Sequence, residues 1–304
     1  MSEIYKGDAL EVLQTMEDEM VQTIITSPPY YGLRDYGIDG QLGLEDAPEE
    51  YIEKLVSIFR EARRVLKKNG TLWLNLGDSY WHNRSNNGVG GGHGKGQSKN
   101  SFRCGGKSHS YLKPKDLIGI PWRVALALQQ DGWYLRSDII WHKPNTMPES
   151  VMDRPTKSHE HIFLFSKSQR YYYNCDAIKE PCVQGDTKTR NRDGNKLNST
   201  PGRTQMGGLT KNNYEKKNKR DVWSIPTSPF KDAHFAVFPV ELIEPCILAG
   251  SSKGDIVLDL FLGSGTTAIA SMKNDREFIG IEIKQEYIEI AKTRVANFEE
   301  QICF

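Results

Sequence analysis

The apolar positions of this chain follow two rhythms, and the rhythms alternate. Short runs of β-branched and other apolar residues occur at 4–7, Val21–Thr26, 71–76, 133–141, 160–165, in the run ending at Asp259, and at 278–283. Each has the length of a strand. Between them, Leu10, Leu13 and Met16, then Tyr51, Leu55, Phe59, Ala62 and Leu66, and finally Tyr287, Ala291, Val295 and Phe298 recur at helical spacing. They predict helices after residue 8, over 48–68 and over 285–300. Lys67, Lys68 and Gly70 close the second of these. Proline near the first position marks two further helices, at 121–130 and 239–249. Strand, helix and strand in succession build a parallel βαβ unit. The runs 133–141 and 160–165 are joined by a loop instead and are read as an antiparallel pair.

Two stretches keep neither rhythm. Residues 82–110 carry Gly88, Gly90, Gly91, Gly92, Gly94 and Gly96 among Asn, Ser, Lys and His. Nothing there can build a core, so an inserted loop is expected. Residues 183–220 carry Lys188, Arg190, Arg192, Lys196, Arg203, Lys211, Lys216, Lys217, Lys219 and Arg220 against only Asp186, Asp193 and Glu215. That composition suits a solvated insertion, and equally a loop that grips a phosphate backbone and reads base edges. The expected division is therefore a domain of 1–175 with 233–304, and an insertion at 176–232.

The strand ends hold the chemistry. Val21–Thr26 stops in Ser27-Pro28-Pro29-Tyr30, because proline cannot donate to a sheet ladder and restricts the residue before it. The run ending at Asp259 leads through Phe261 into Gly263-Ser264-Gly265-Thr266, a Gly-x-Gly turn between strand and helix. Such a turn lets a ligand approach the backbone and points a helix N-terminus at it. Glu282 follows near the end of the next strand, about 20 residues on, where an acid suits a ribose diol. Asp8 is either a helix cap or a group facing a ligand at a strand end. Only one strand and one helix follow the Gly turn, too little to wind a sheet around it. The Asp259 strand must then recruit the N-terminal half, and the simplest assembly sets it beside the Thr26 strand, at a switch point.

Composition narrows the reading less. The 304 residues can bury a large core, and the net charge of +1 is neutral on polyanionic partners. Five cysteines without paired spacing, and no N-terminal apolar run, make a cytoplasmic protein with reduced thiols the expectation. No stretch reaches the roughly 18 apolar residues of a membrane span. His82, His93, Cys104 and His109 match no zinc spacing, so no metal is expected.

In order along the chain, Gly7-Asp8-Ala9-Leu10, Thr26-Ser27-Pro28-Pro29-Tyr30, the strand pair reaching from Trp141 to Phe165, the basic insertion, the segment 234–239, and Asp259 to Thr267 with Glu282 resemble the circularly permuted β-type branch of S-adenosylmethionine-dependent DNA amino-methyltransferases. The resemblance covers most of the chain outside the Gly-rich loop. It implies a seven-stranded, Rossmann-like, mostly parallel sheet with an antiparallel pair at one edge, and the insertion as target-recognition region. It implies S-adenosyl-L-methionine as cofactor, with Asp259, Phe261, Gly263, Gly265 and Thr266 at its methionine end and sugar, Glu282 on the ribose, Asp8 on the adenine amine, and Phe235 and Pro239 lining the methionine end. Double-stranded DNA is the implied substrate, contacted by Arg34, Lys143, Arg154, Lys188, Arg190, Arg192 and Arg203. A homodimer and a cognate restriction endonuclease are partners that the family allows and these residues do not specify.

The loop chemistry agrees. An exocyclic base amine is a poor nucleophile because its lone pair is delocalised into the ring. Acceptors on both amine hydrogens localise that pair, and the Ser27 hydroxyl and Pro28 carbonyl are of this kind. Pro29 stiffens the loop, and Tyr30 offers a face for a flipped base. Methylation at cytosine C5 needs a thiolate in the loop, and neither Cys182 nor Cys246 lies there. Within the family, serine at the first loop position points to cytosine N4, with adenine N6 as the alternative. An RNA or protein amine methyltransferase is a more remote reading, which leaves the basic insertion without a purpose.

Overall fold

The computed structural model describes residues 2–33, 35, 37, 40–82, 109–182, 215–227 and 238–302. They fall into two units, Met1–Tyr173 with Asp221–Phe304, and Asn174–Arg220. Along the chain the elements are β1 (Glu3–Lys6), α1 (Ala9–Thr15), β2 (Val21–Thr26), α2 (Pro48–Val65), β3 (Leu66–Leu76), α3 (Ile120–Gln130), β4 (Tyr134–His142), β5 (His159–Ser166), β6 (Glu180–Pro181), β7 (Lys216–Lys217), β8 (Val222–Ser224), α4 (Val240–Gly250), β9 (Ile256–Asp259), α5 (Thr266–Lys273), β10 (Glu277–Glu282) and α6 (Gln285–Ile302). In the smaller unit β6 and β7 pair antiparallel.

The larger unit is built on one sheet in the order β1-β10-β9-β2-β3-β5-β4-β8. Its first five strands are mutually parallel. β5 then runs antiparallel to both β3 and β4. The expected neighbours are in place: β9 lies beside β2, with Thr23 opposite Val257 and Ile24 opposite Leu258. Among the described residues the sheet has eight strands, one more than the seven expected. Val222–Ser224, assigned from sequence to the insertion, adds a parallel strand outside β4, with buried Trp223 level with Trp141. Three residues are too short a run for periodicity to reveal, so this strand exists only through its partner.

Neighbouring strand residues point to opposite faces, and the packing follows. Ile24, Leu72 and Leu74 enter a core with Leu13 of α1, Tyr51, Leu55 and Phe59 of α2, and Val124 and Leu128 of α3. Thr23 and Thr71 point the other way, against Gly250 at the end of α4. β2 thus feeds α2 on the first face, while α5, which follows β9, packs with α4. The boundary between β9 and β2 is the switch point of the sheet.

One boundary differs from the sequence pattern. The helix expected over 48–68 stops at Val65, and β3 begins at Leu66. Leu66 still donates its N–H to Ala62 but is extended, and it pairs with Val21. The register then jumps to Thr71 opposite Thr23, so the basic closing residues occupy a strand irregularity. Burial of Leu66, which is 0% exposed, outweighs the helical propensity of the two lysines.

Candidate active site

Parallel strands deliver their C-terminal ends to one edge of a sheet. Here that edge carries Asp8 after β1, Glu282 at the end of β10, Asp259 and the Gly turn at the end of β9, Ser27-Pro28-Pro29-Tyr30 after β2, and Asn75 to Asp78 at the end of β3. Every acid and motif singled out in the strand ends lies in this row.

Asp259 is the knot in it. It is 1% exposed, and Oδ1 accepts the Thr26 hydroxyl at 2.7 Å and the Phe261 N–H at 3.1 Å. Its Oδ2 accepts the Thr267 hydroxyl at 2.6 Å. Burial raises this carboxyl above its ordinary range, against the pull of those three bonds. One buried side chain therefore joins the residue before Ser27 to both sides of the Gly turn.

The turn is shaped by its glycines and its neighbours. Gly265 has φ +84°, and a Cβ there would stand 3.0 Å from the Cβ of Ala291 on α6, so both conformation and space require glycine. Arg294 of α6 braces the turn by donating to the Ser264 carbonyl at 2.6 Å and its hydroxyl at 2.8 Å. The Gly263 N–H donates to Glu282 Oε2 at 2.8 Å, and Lys284 N–H donates to Oε1 at 2.9 Å. Burial lifts the Glu282 carboxyl, opposed by these backbone bonds. Gly7 N–H donates to the Glu282 carbonyl at 3.1 Å, which brings Asp8 alongside. Asp8 caps α1, its Oδ1 accepting from the N–H of Leu10 and Glu11, so the cap reading holds, at a position on the same sheet edge as the other motifs. Thr266 is buried in the first turn of α5, and Pro239 is the buried N-cap of α4.

The Pro-Pro loop closes on a polar network. Tyr30 donates its hydroxyl to Glu160 Oε2 at 2.8 Å and to Asn75 Oδ1 at 3.0 Å, and Ser27 Oγ donates to the Tyr30 oxygen at 3.4 Å. Asn75 Nδ2 reaches Glu160 Oε2 at 3.3 Å and the His161 carbonyl at 3.1 Å. Burial, then the charge of Glu160, pushes the Tyr30 hydroxyl well above its ordinary value, so it keeps its proton. The Tyr30 ring lies against Gly77, where a Cβ would meet ring carbon Cε2 at 2.5 Å. Pro28 is buried, and the Pro29 carbonyl accepts the Tyr51 hydroxyl at 2.8 Å, fixing the loop to α2. Asp78 holds the start of α3, its Oδ1 accepting from the N–H of Gly119 and Ile120 at 3.0 Å each. Lys157 donates to the Asp78 carbonyl, and burial lowers its pKa.

The candidate DNA contacts divide. Lys143 is ion-paired with Glu160 and sits 4.1 Å from the Trp141 ring centre, which spends its charge inside the network. Arg154 pairs with Glu149 and stacks on Tyr80 at 4.1 Å. Arg34, Lys188, Arg190, Arg192 and Arg203 lie outside the described residues, as does Phe235. So do His93 and Cys104 of the glycine-rich stretch. His109 accepts from the N–H of Leu112 through Nδ1 at 3.2 Å, which leaves its proton on Nε2, facing Glu49 at 3.2 Å.

Sequence reasoning missed Thr26, Asn75, Glu160 and Thr267 as site residues. The signal for Asn75 and Glu160 was present: each is a polar residue within or opening an otherwise apolar strand, a placement that needs a partner. Thr26 and Thr267 carry no such signal, since threonine is common in strands and in first turns.

This geometry sits on a chain with close relatives. A DNA methylase family model for N6 and N4 enzymes matches residues 21–293. The chain is 47% identical to the Type II methyltransferase M.Cfr9I of Citrobacter freundii over 96% of its length and 87% of that protein. It is 48% identical to the Type II methyltransferase M.SmaI of Serratia marcescens, over 96% and 90%. Among solved structures, the PvuII DNA methyltransferase (cytosine-N4-specific) superposes with TM-score 0.63 at 18% identity, covering 98% of this chain and 91% of that one. A Thermus thermophilus protein solved with S-adenosyl-L-methionine gives 0.61 at 24%, covering 98% and 94%. The permuted order of motifs, their meeting at one sheet edge and this near full-length match lead to one conclusion: the chain belongs to the N6/N4 DNA methylase family.

Proposed function

We propose that this DNA methylase uses S-adenosyl-L-methionine to methylate the N4 amine of a cytosine flipped out of double-stranded DNA. The observation that carries the reading is the buried Thr26–Asp259 bond, because it sets Ser27 beside the Gly turn and so puts an amine acceptor next to a nucleoside site. The residues fit that cofactor. Glu282 has lone pairs beyond those taken by the two backbone N–H groups, which suits a ribose diol. The first turn of α5 receives no side-chain cap, so its N–H groups favour a carboxylate. Asp8 at the far end of the row would accept the adenine amine, and Asp259, Phe261, Gly263, Gly265 and Thr266 would shape the methionine end. When bound, the cofactor supplies an electrophilic methyl group on a sulfonium.

The protein's part is to prepare the nucleophile. Ser27 Oγ and the Pro28 carbonyl would each accept an amine hydrogen and localise the nitrogen lone pair. The Tyr30 ring, half-buried and set against Gly77, would stack on the base. Serine brings a neutral acceptor, which suits cytosine without adding a buried charge. The unit Asn174–Arg220 would read the recognition sequence, with Lys188, Arg190, Arg192 and Arg203 on phosphates and bases. The names of the relatives fit a Type II system in which a restriction endonuclease cuts the same sequence.

The test is methyl transfer from labelled cofactor to unmethylated DNA, followed by mass spectrometry of the released nucleosides. N4-methylcytosine is expected. N6-methyladenine would overturn the base assignment, and label in RNA or protein but not DNA would overturn the substrate. Ser27→Ala should lower transfer at least tenfold while cofactor binding stays within twofold, the loss of one acceptor being worth about 1.5 kcal/mol or more in a site of this kind. Equal loss of both would make the loop merely structural.

A further inference from the structure

A hydroxyl both donates and accepts, and only its neighbours decide which it does toward a ligand. Around Tyr30 the neighbours are decisive. Glu160, paired with Lys143, can only accept. The Asn75 amide is fixed by its Nδ2 bond to the His161 carbonyl, itself only an acceptor, so Oδ1 is the atom that faces Tyr30. Tyr30 owns one proton, and these two acceptors, at 2.8 Å and 3.0 Å, both claim it. Its oxygen can then only accept from Ser27, 3.4 Å away.

We propose that Glu160 and Asn75 act through Tyr30 as positioning residues that set the polarity of Ser27, turning its proton inward and its lone pairs outward. The inference rests on the reading of Ser27 as the acceptor for the target amine. It adds a cause for that acceptance and a consequence for specificity. A base with an amine at the reacting position meets lone pairs and bonds to them. A base with a carbonyl there, such as thymine in place of cytosine, meets lone pairs with lone pairs. Discrimination between amine and oxo bases thus resides partly in side chains that never touch the base.

The experiment compares Tyr30→Phe, Glu160→Gln and the double variant of the full chain, on a duplex containing the sequence that the enzyme methylates. Each single change should lower kcat about tenfold, a charged hydrogen bond being worth roughly that factor. KM for DNA and for cofactor should stay within twofold. The double variant should be no slower than Tyr30→Phe alone, because Glu160 works through the hydroxyl already removed. Binding competition against the same duplex with the oxo counterpart at the target position should show weaker discrimination in both single variants. Multiplying losses in the double variant, a defect in KM alone, or undiminished discrimination would overturn the proposal. Thermal melting of each variant monitors folding, and Tyr30→Phe, which keeps the ring on Gly77, is the variant that decides if Glu160→Gln melts early. Ser27→Ala separates the two levels. Full activity in Ser27→Ala sinks the underlying reading, whereas a slow Ser27→Ala beside unimpaired Tyr30→Phe and Glu160→Gln sinks only the polarity.

Discussion

Replacing Thr26 by valine changes one atom's chemistry at the junction of the two halves of the site. Valine keeps the shape and the strand preference of threonine, so β2 should survive unchanged. The Thr26 hydroxyl, however, is one of three donors to a carboxylate that is 1% exposed. Its loss leaves Oδ1 of Asp259 with the Phe261 N–H at 3.1 Å. A hydrogen bond to a buried charged group contributes about 1.5–3 kcal/mol, which corresponds to a Tm lower by roughly 2–5 °C in a chain of this size. The pH dependence adds a second signature. Burial already holds the Asp259 carboxyl above its ordinary 3.8. A carboxyl with raised pKa supports folding fully below the unfolded value and withdraws that support as pH rises through the folded one. The Thr26 bond lowers the folded value, so its removal raises it further. The deficit of Thr26→Val therefore grows as pH rises through the folded values of Asp259 and shrinks as acid protonates it. Thermal unfolding at neutral and mildly acidic pH measures both effects. A variant within about 0.5 kcal/mol of the parent at neutral pH, or a deficit that grows on acidification, would refute the assignment of Asp259 as a charged knot held by Thr26.

Gly77→Ala places a methyl group 2.5 Å from the Tyr30 ring, which must move; methyl transfer should fall at least tenfold while Tm changes little, because the ring is half-buried and outside the main hydrophobic cluster. Asp78→Ala removes the acceptor for the Gly119 and Ile120 N–H groups, and unfolding measurements should show a loss of about 1–2 kcal/mol with cofactor affinity unchanged.

How much of this was legible in the residues can be read from the strand ends. The periodicity of the apolar runs and the proline and glycine punctuation located nearly every element of the larger unit, because those signals are local: Pro28 ends β2 and Gly265 starts α5 whatever surrounds them. The simplest assembly of these elements set the Asp259 strand beside the Thr26 strand, and the two are paired. What sequence could not assign was the employment of polar side chains. Lys143 reads as a cation for phosphate, yet it is committed to Glu160. Asp259 reads as a ligand group, and its oxygens also accept from Thr26, Phe261 and Thr267. Glu160 and Asn75 lie 85 positions apart and meet only because β3 and β5 pair antiparallel, with Asn75 opposite Ile162. Strand β8 likewise has too few residues to declare itself and forms because β4 offers an unpaired edge. Backbone conformation is set by neighbours in sequence, whereas a buried hydrogen bond is set by neighbours in space. The sequence by itself thus determined the elements and the row of motifs at one sheet edge, and the tertiary structure alone decided which side chains of that row are bonded to one another.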